Sequence, residues 1–344
     1  AYGRGFFPLE SSLDYDIPEC ESWTMTWLRH RLGEEMSEED YRRGRAYTMV
    51  NKYVSSAAHL RGKRLVSCEE MTNTYTVFNM TLELLKIGGD QTAISGVTHS
   101  IFHGFNYSPK EAPFPGWIRY GAYYNENNNW WPYFKYYTAY KGRMASALQH
   151  GTMYADIAIL HPIADMWSTL GMQNEPFPAT TNVKYKTLVW EAIHKNGSGC
   201  DYVSESIIRD AEMKDGYLCY GPRKYKTLFL IEVESMEPAT ARKLYDFVTS
   251  GGRIFCIEAY PHKSVGLKDH DKHDKEVQGW VEKMKQMDGR FILLHKPEKD
   301  FVGWYQGVQK DYGLTSYMTI EKPDPYLMQN RYQGDNREEM FFFS

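Results

Sequence analysis

Polar and apolar positions alternate along this chain in blocks that predict helices and strands in turn. Ser37-Glu-Glu-Asp40 reads as a helix start, with Ser37 as N-cap and acids in the first turn. From Tyr41 to Leu60 apolar residues recur at helical spacing. A short strand is expected over Arg64–Cys68, ending at Glu69. A helix follows from Thr81 to Ile87, stopped by Gly88-Gly89, and then a buried strand over Gly96–His103. An aromatic loop, Gly104 to Pro132, leads into a helix over Tyr133–Gln149. Polar residues just after each strand give this stretch the rhythm of a parallel α/β fold. We read residues 1–152 as the later strands of a (β/α)₈ TIM barrel, too few to close the ring.

The alternation starts afresh at Tyr154-Ala-Asp-Ile-Ala-Ile-Leu-His-Pro162. Further strands are expected at Asp201–Val203, Thr227–Val233 and Arg253–Glu258. Helices are expected around Lys186–Lys195, over Thr240–Thr249 before Gly251-Gly252, and over Asp274–Met287. Residues 153–308 thus predict a flavodoxin-like, doubly wound α/β unit. Residues 309–344 look β-rich, leading toward a further domain.

Composition narrows the function. At 344 residues and 42 % hydrophobic content, the chain can fill about two cores. A net charge of -4 without a basic stripe gives no reason to expect nucleic acid. No apolar run approaches the ~18 residues needed to span a membrane. Five scattered cysteines without a C-x-x-C pair argue against a disulfide scaffold or a zinc ribbon. The start, Ala1-Tyr-Gly-Arg-Gly, carries no signal peptide, and the end is abrupt. We expect an excerpt of a longer polypeptide, with parts missing at both ends.

Aromatics reach 15 %, many in segments rich in Asn, Gly and Pro. Such rings offer a flat face and a polar edge, which match the C–H faces and hydroxyls of sugars. The loop from Trp117 to Trp131, with Asn125, Trp130 and Trp131, is a candidate carbohydrate site; packing is the bland alternative. Glycoside hydrolysis needs a pair of carboxylates. Glu21, beside Trp23 in an acidic loop, and Glu69, at a strand end, are candidates, although either could be a surface or capping acid. His99 and His103 have H-x-x-x-H spacing but lack the adjacent Glu of a zinc helix, and their β-branched surroundings favour a strand. His103 could then meet a sugar hydroxyl or be a core histidine. Cys256 lies among Ile254, Phe255 and Ile257 and reads as core.

Asp16-Ile-Pro-Glu-Cys-Glu-Ser-Trp23 resembles the Asp-hydrophobic-Pro-x-x-Glu-x-Trp motif of glycoside hydrolase family 106, the α-L-rhamnosidases. Lys63 to Thr72 is similar to that family's second Glu-bearing strand, and Gly96–His103, Pro115-Gly116 and Trp130-Trp131 to the region after it. The second unit resembles the glutamine-amidotransferase-like accessory domain of several sugar hydrolases. The resemblance implies an inverting glycosidase acting on terminal α-L-rhamnose, with a carbohydrate substrate and a secreted or periplasmic location. It implies Glu21 as general base, Glu69 as a second catalytic-site glutamate, and His103, Trp23, Asn125, Trp130 and Trp131 as sugar contacts. The proton donor is expected before Ala1, and a Ca²⁺ ion without assigned ligands is implied by some members. Two rivals remain open: a non-catalytic carbohydrate-binding barrel, and a hydrolase of a different glycoside.

Overall fold

A computed structural model describes residues 8–23, 50–72, 78, 80–117, 123–170 and 186–343. The helix start expected at Ser37 lies outside these residues, and residues 50–60 are helical (α2, after the short α1, Pro8–Ser12). Three parallel strands stand side by side in chain order: β1 (Glu19–Trp23), β2 (Ser67–Thr72) and β3 (His99–Phe102). Helix α2 links the first two, α3 (Leu82–Ile94) the next two, and α4 (Trp131–His150) follows the third.

Two boundaries differ from the sequence reading. Strand β2 begins three residues later than expected and continues past Glu69, which therefore sits mid-strand. Helix α3 runs straight through Gly88-Gly89. Gly89 is there for close packing: a Cβ on it would stand 2.7 Å from Tyr137 Oη and 3.0 Å from Lys141 Nζ on α4. Only a residue without a side chain lets the two helices approach that closely.

The second unit is a five-stranded parallel sheet: β5 (Ile157–Leu160), β6 (Cys200–Val203), β10 (Thr227–Ile231), β11 (Arg253–Ile257) and β12 (Phe291–Leu294). Its spatial order is β12-β11-β10-β5-β6. Counted along the chain this is 2-1-3-4-5, the order of a doubly wound sheet. Thr-Leu-Phe-Leu-Ile of β10 is buried at every position. A strand covered on both faces has no polar side to alternate with, which explains its unbroken apolar run. Helices α8 (Pro238–Thr249) and α9 (His270–Lys285) pack together, as do α6 (Lys186–Lys195) and α10 (Phe301–Tyr312). The remaining short helices are α5 (Ile163–Leu170) and α7 (Glu205–Asp210).

The chain's last stretch folds back. Strand β13 (Gln329–Gly334) pairs antiparallel with both β14 (Glu339–Phe343) and β4 (Gly151–Met153), the strand joining the two units. Asn330, fully buried, donates to Ile94 O and meets His194 Nδ1 at 2.8 Å. The boundary expected after residue 308 falls inside α10. An antiparallel sheet of β7 (Glu212–Lys214), β8 (Tyr217–Tyr220) and β9 (Arg223–Tyr225) was not foreseen.

Helix α2 belongs to two cores. Tyr53, Ala57 and Leu60 join the large cluster around the five-stranded sheet, whereas Val54 and Ala58 join Cys20, Val66, Cys68 and Val97 beneath β1–β3. A helix enclosed on all sides also buries its polar residues, and these need partners. Ser55 donates to Ser95 O, and Ser56 accepts from Tyr202 N. His59 Nδ1 lies 2.7 Å from Asp201 Oδ1, and Lys52 Nζ 3.8 Å from it. Tyr225 donates to Asp201 Oδ2, and Arg223 lies 3.2 Å from it.

Burial alone would raise the Asp201 pKa, yet Arg223, His59 and Lys52 together hold it well below the usual carboxylate range. Burial lowers His59 from 6.5 to about 4 and His194 to about 3. Below pH 6.5 the unfolded chain therefore binds protons that the folded chain refuses, so stability falls on acidification. Between pH 6.5 and 5 each histidine contributes a loss of about 2 kcal/mol. Asp156, raised by burial to about 6, acts in the opposite direction by roughly 1 kcal/mol over that interval. The midpoint of urea unfolding should therefore drop between pH 7 and pH 5; a midpoint that holds or rises would contradict this account.

Candidate active site

Parallel pairing of β1 and β2 sets Glu19 opposite Ser67, Cys20 opposite Cys68 and Glu21 opposite Glu69. Neighbouring strands lie about 4.8 Å apart, and directly paired residues share a face. The two glutamates named from the sequence thus stand together. Cys20 and Cys68, one position back, point into the core; all five cysteines are free thiols.

Simple alternation would send Thr72 to the face opposite Glu69. Two irregularities change that. The register slips between Glu21 and Trp23, and Met71, 1 % exposed, is held at φ 70. A non-glycine residue in that region is strained and persists only where its surroundings impose it. Irregularities of this kind re-aim a side chain at a strand end. Thr72 consequently donates to Glu21 Oε1 at 3.2 Å and lies 2.9 Å from His103 Nδ1. Its single hydroxyl proton goes to Glu21, so Nδ1 is the donor toward Thr72. His103, whose N–H donates to Glu70 O just past β3, also sits 3.6 Å from Glu69 Oε1. Burial raises the Glu69 pKa; His103 opposes that rise, and the hydrogen-bonded carboxyl of Glu21 adds to it.

Glu70, one residue on, turns to the interior. Its carboxylate is fully buried and accepts from Lys141 Nζ of α4 at 3.0 Å, while the same ammonium donates to Gly89 O. This pair pins β2 from behind, in the gap that Gly89 leaves open. Burial raises the Glu70 pKa and Lys141 lowers it again.

The aromatic loop divides differently from the sequence reading. Trp130 is 8 % exposed, donates Nε1–H to Met80 O and packs on Tyr124 and Phe134. Asn125, 1 % exposed, donates to Asn106 O and accepts from Asn127 N, so its amide closes the loop. Both are spent on structure. Trp131 stacks on Phe134 and reaches Phe105. Trp23 ends β1, and its side chain lies outside the described residues. Among the described residues of the loop, the exposed rings are Phe105, Tyr107, Phe114 and Trp117, at 60–77 %. Of these, the sequence reading singled out only Trp117. The missed signal was Gly104, Pro109, Pro113 and Pro115 around them, which keep that stretch out of any helix or strand.

His99 opens β3 opposite Ser67, two register positions before the Glu69 pairing. Among the described residues no group of three or more His, Cys, Asp or Glu side chains could hold a metal. Among the described residues no helix is long and apolar enough to cross a membrane.

Lys141→Met would strand the Glu70 carboxylate in the core. We expect a loss of about 3–5 kcal/mol in guanidinium unfolding; a loss under about 1 kcal/mol would mean that the pair does not pin β2.

The chain is similar to known proteins. Residues 9–290 match the glycoside hydrolase 106 family, described as alpha-L-rhamnosidase. A putative beta-glucuronidase of Formosa agariphila is 28 % identical over 228 residues, 66 % of this chain and 18 % of that protein. Among solved structures, the rhamnosidase from Novosphingobium sp. PP1Y aligns with a TM-score of 0.65 at 17 % identity, over 97 % of this chain and 30 % of that one. Gan42B, a GH42 beta-galactosidase from G. stearothermophilus, aligns at 0.59 and 13 %, over 95 % and 53 %. The chain thus spans less than a third of the rhamnosidase and less than a fifth of the Formosa protein, and it shares its mixed α/β fold with glycoside hydrolases. A match over residues 9–290 takes in the Glu21–Glu69 strands and four of the five strands of the parallel sheet, and on it the chain belongs to glycoside hydrolase family 106.

Proposed function

We propose that this chain supplies part of the sugar site of a glycosidase that releases terminal α-L-rhamnose with inversion. The observation that carries the reading is the meeting of Glu21, Glu69, Thr72 and His103 on parallel strands. In this reading β1–β3 are later strands of a (β/α)₈ barrel, whose chemistry lies at the strands' C-terminal ends. The five-stranded unit is an accessory domain.

Glu21 is the general base, oriented by the Thr72 hydroxyl, and it takes the proton of the attacking water. Glu69 serves another purpose. An inverting acid/base pair needs carboxyls about 6.5–9.5 Å apart, with room for water and sugar between them. Glu21 and Glu69 are direct register partners on neighbouring strands, which lie about 4.8 Å apart, closer than such a pair requires. Glu69 instead holds a sugar hydroxyl, helped by His103, and the proton donor comes from outside these three strands. Ca²⁺ has no step in this scheme.

The test uses the full polypeptide with an aryl α-L-rhamnoside. Glu21→Gln should cut turnover by about 10²–10⁴-fold at unchanged thermal stability, and NMR should find β-rhamnose as the first product. Near-wild-type turnover would refute the base assignment. The exposed Phe105, Tyr107, Phe114 and Trp117 favour a second reading, glycan binding without cleavage. Retained glycan affinity with no hydrolysis by the wild-type protein would establish that alternative.

A further inference from the structure

A cavity lies far along the chain from Glu21, at the edge where the strands of the five-stranded sheet begin. It has a volume of about 320 Å³, within the range of small-molecule pockets. Ile157, Thr227 and Arg253, which start β5, β10 and β11, line it together with Arg290 and the turn after α10. Doubly wound sheets bind their usual ligands at the opposite, carboxyl edge. This pocket is therefore a feature of this chain, roofed by residues 313–317.

Its charges are unbalanced. Lys226, Arg253 and Arg290 line it against a single carboxylate, Asp156. Arg253 and Arg290 are brought side by side because Ile254 N donates to Arg290 O. Each guanidinium spends one nitrogen on a backbone carbonyl, Tyr312 O and Gly251 O respectively. Neither forms an ion pair among the described residues, and Arg253 Nε is buried without a partner. Burial and the Arg290 charge both push the Arg253 pKa down. Two adjacent guanidiniums without a carboxylate between them repel each other, and an oxyanion relieves that repulsion by accepting from paired N–H donors.

The rest of the wall suits a sugar. Tyr154 and Tyr317 stand edge to face with centroids 4.9 Å apart, held by the Arg331 guanidinium over both rings. Asp156 Oδ1 is buried with no partner and can accept from a hydroxyl. We propose that this cavity binds a sugar carrying a carboxylate or sulfate ester, its anion on Arg253 and Arg290 and a ring hydroxyl on Asp156. Such a site would hold an acidic residue of a polysaccharide away from the cleavage site, and it stands independently of the role given to Glu21.

The probes are glucuronate and glucose 6-sulfate, with glucose, acetate and inorganic sulfate as controls, titrated calorimetrically into the full polypeptide. The acidic sugars should bind at least about tenfold more tightly than any control. Arg290→Gln should remove most of that advantage, and Glu21→Gln should leave it intact. Binding of acetate or sulfate as tight as that of the acidic sugars would overturn the proposal. So would binding that survives Arg290→Gln, or binding lost in Glu21→Gln, which would assign the acidic sugar to the other site.

Discussion

The carboxylate of Asp201 has no access to water, and the architecture around it follows from that constraint. A charge so enclosed must be met by partners, and losing one is worth several kcal/mol. Arg223 and Tyr225 meet it from β9, while His59 and Lys52 meet it from α2. Helix α2 is thereby clamped to the five-stranded sheet. Its other side packs under Cys20 and Cys68, the residues just before Glu21 and Glu69. The second unit thus acts as a buttress for the strands that carry the two glutamates. The chain's last strands add to it, since Asn330 links α3 to α6 through Ile94 and His194.

On that base the site needs only register and one distortion. Register makes Glu21 and Glu69 neighbours. The distortion at Met71 brings Thr72 round to join Glu21 to His103. Behind the same strand the Glu70–Lys141 pair opposes any slip of β2, a slip that would turn Glu69 into the core. Consecutive glutamates on one strand therefore divide the work: one faces the site, and the other anchors the strand.

Much of this was legible in the sequence, and the failures have physical causes. Strands β5, β10 and β11 were read correctly because doubly covered strands are apolar throughout. Glu21, Glu69 and His103 were named as separate residues; their meeting depends on register, which a short strand without alternation does not encode. Thr72 was beyond reach, since alternation assigns it to the wrong face and only the backbone at Met71 corrects it. Gly88-Gly89 misled because a glycine that ends a helix and one that admits a neighbouring helix look alike in sequence. Asn125 and Trp130 show a related ambiguity: amides and indoles that suit a sugar also suit a buried loop, and here they bond to Asn106 and Met80.

The central claim is that Glu21 and Glu69 act in one site, and a double-mutant cycle tests it most directly. Glu21→Gln, Glu69→Gln and the double variant would be compared by kcat/KM in the full polypeptide. Groups that act as a unit are strongly non-additive, so the second substitution should cost far less once the first is present. Costs that add to within about 0.5 kcal/mol would mean that the two glutamates work apart, and the site described here would be wrong.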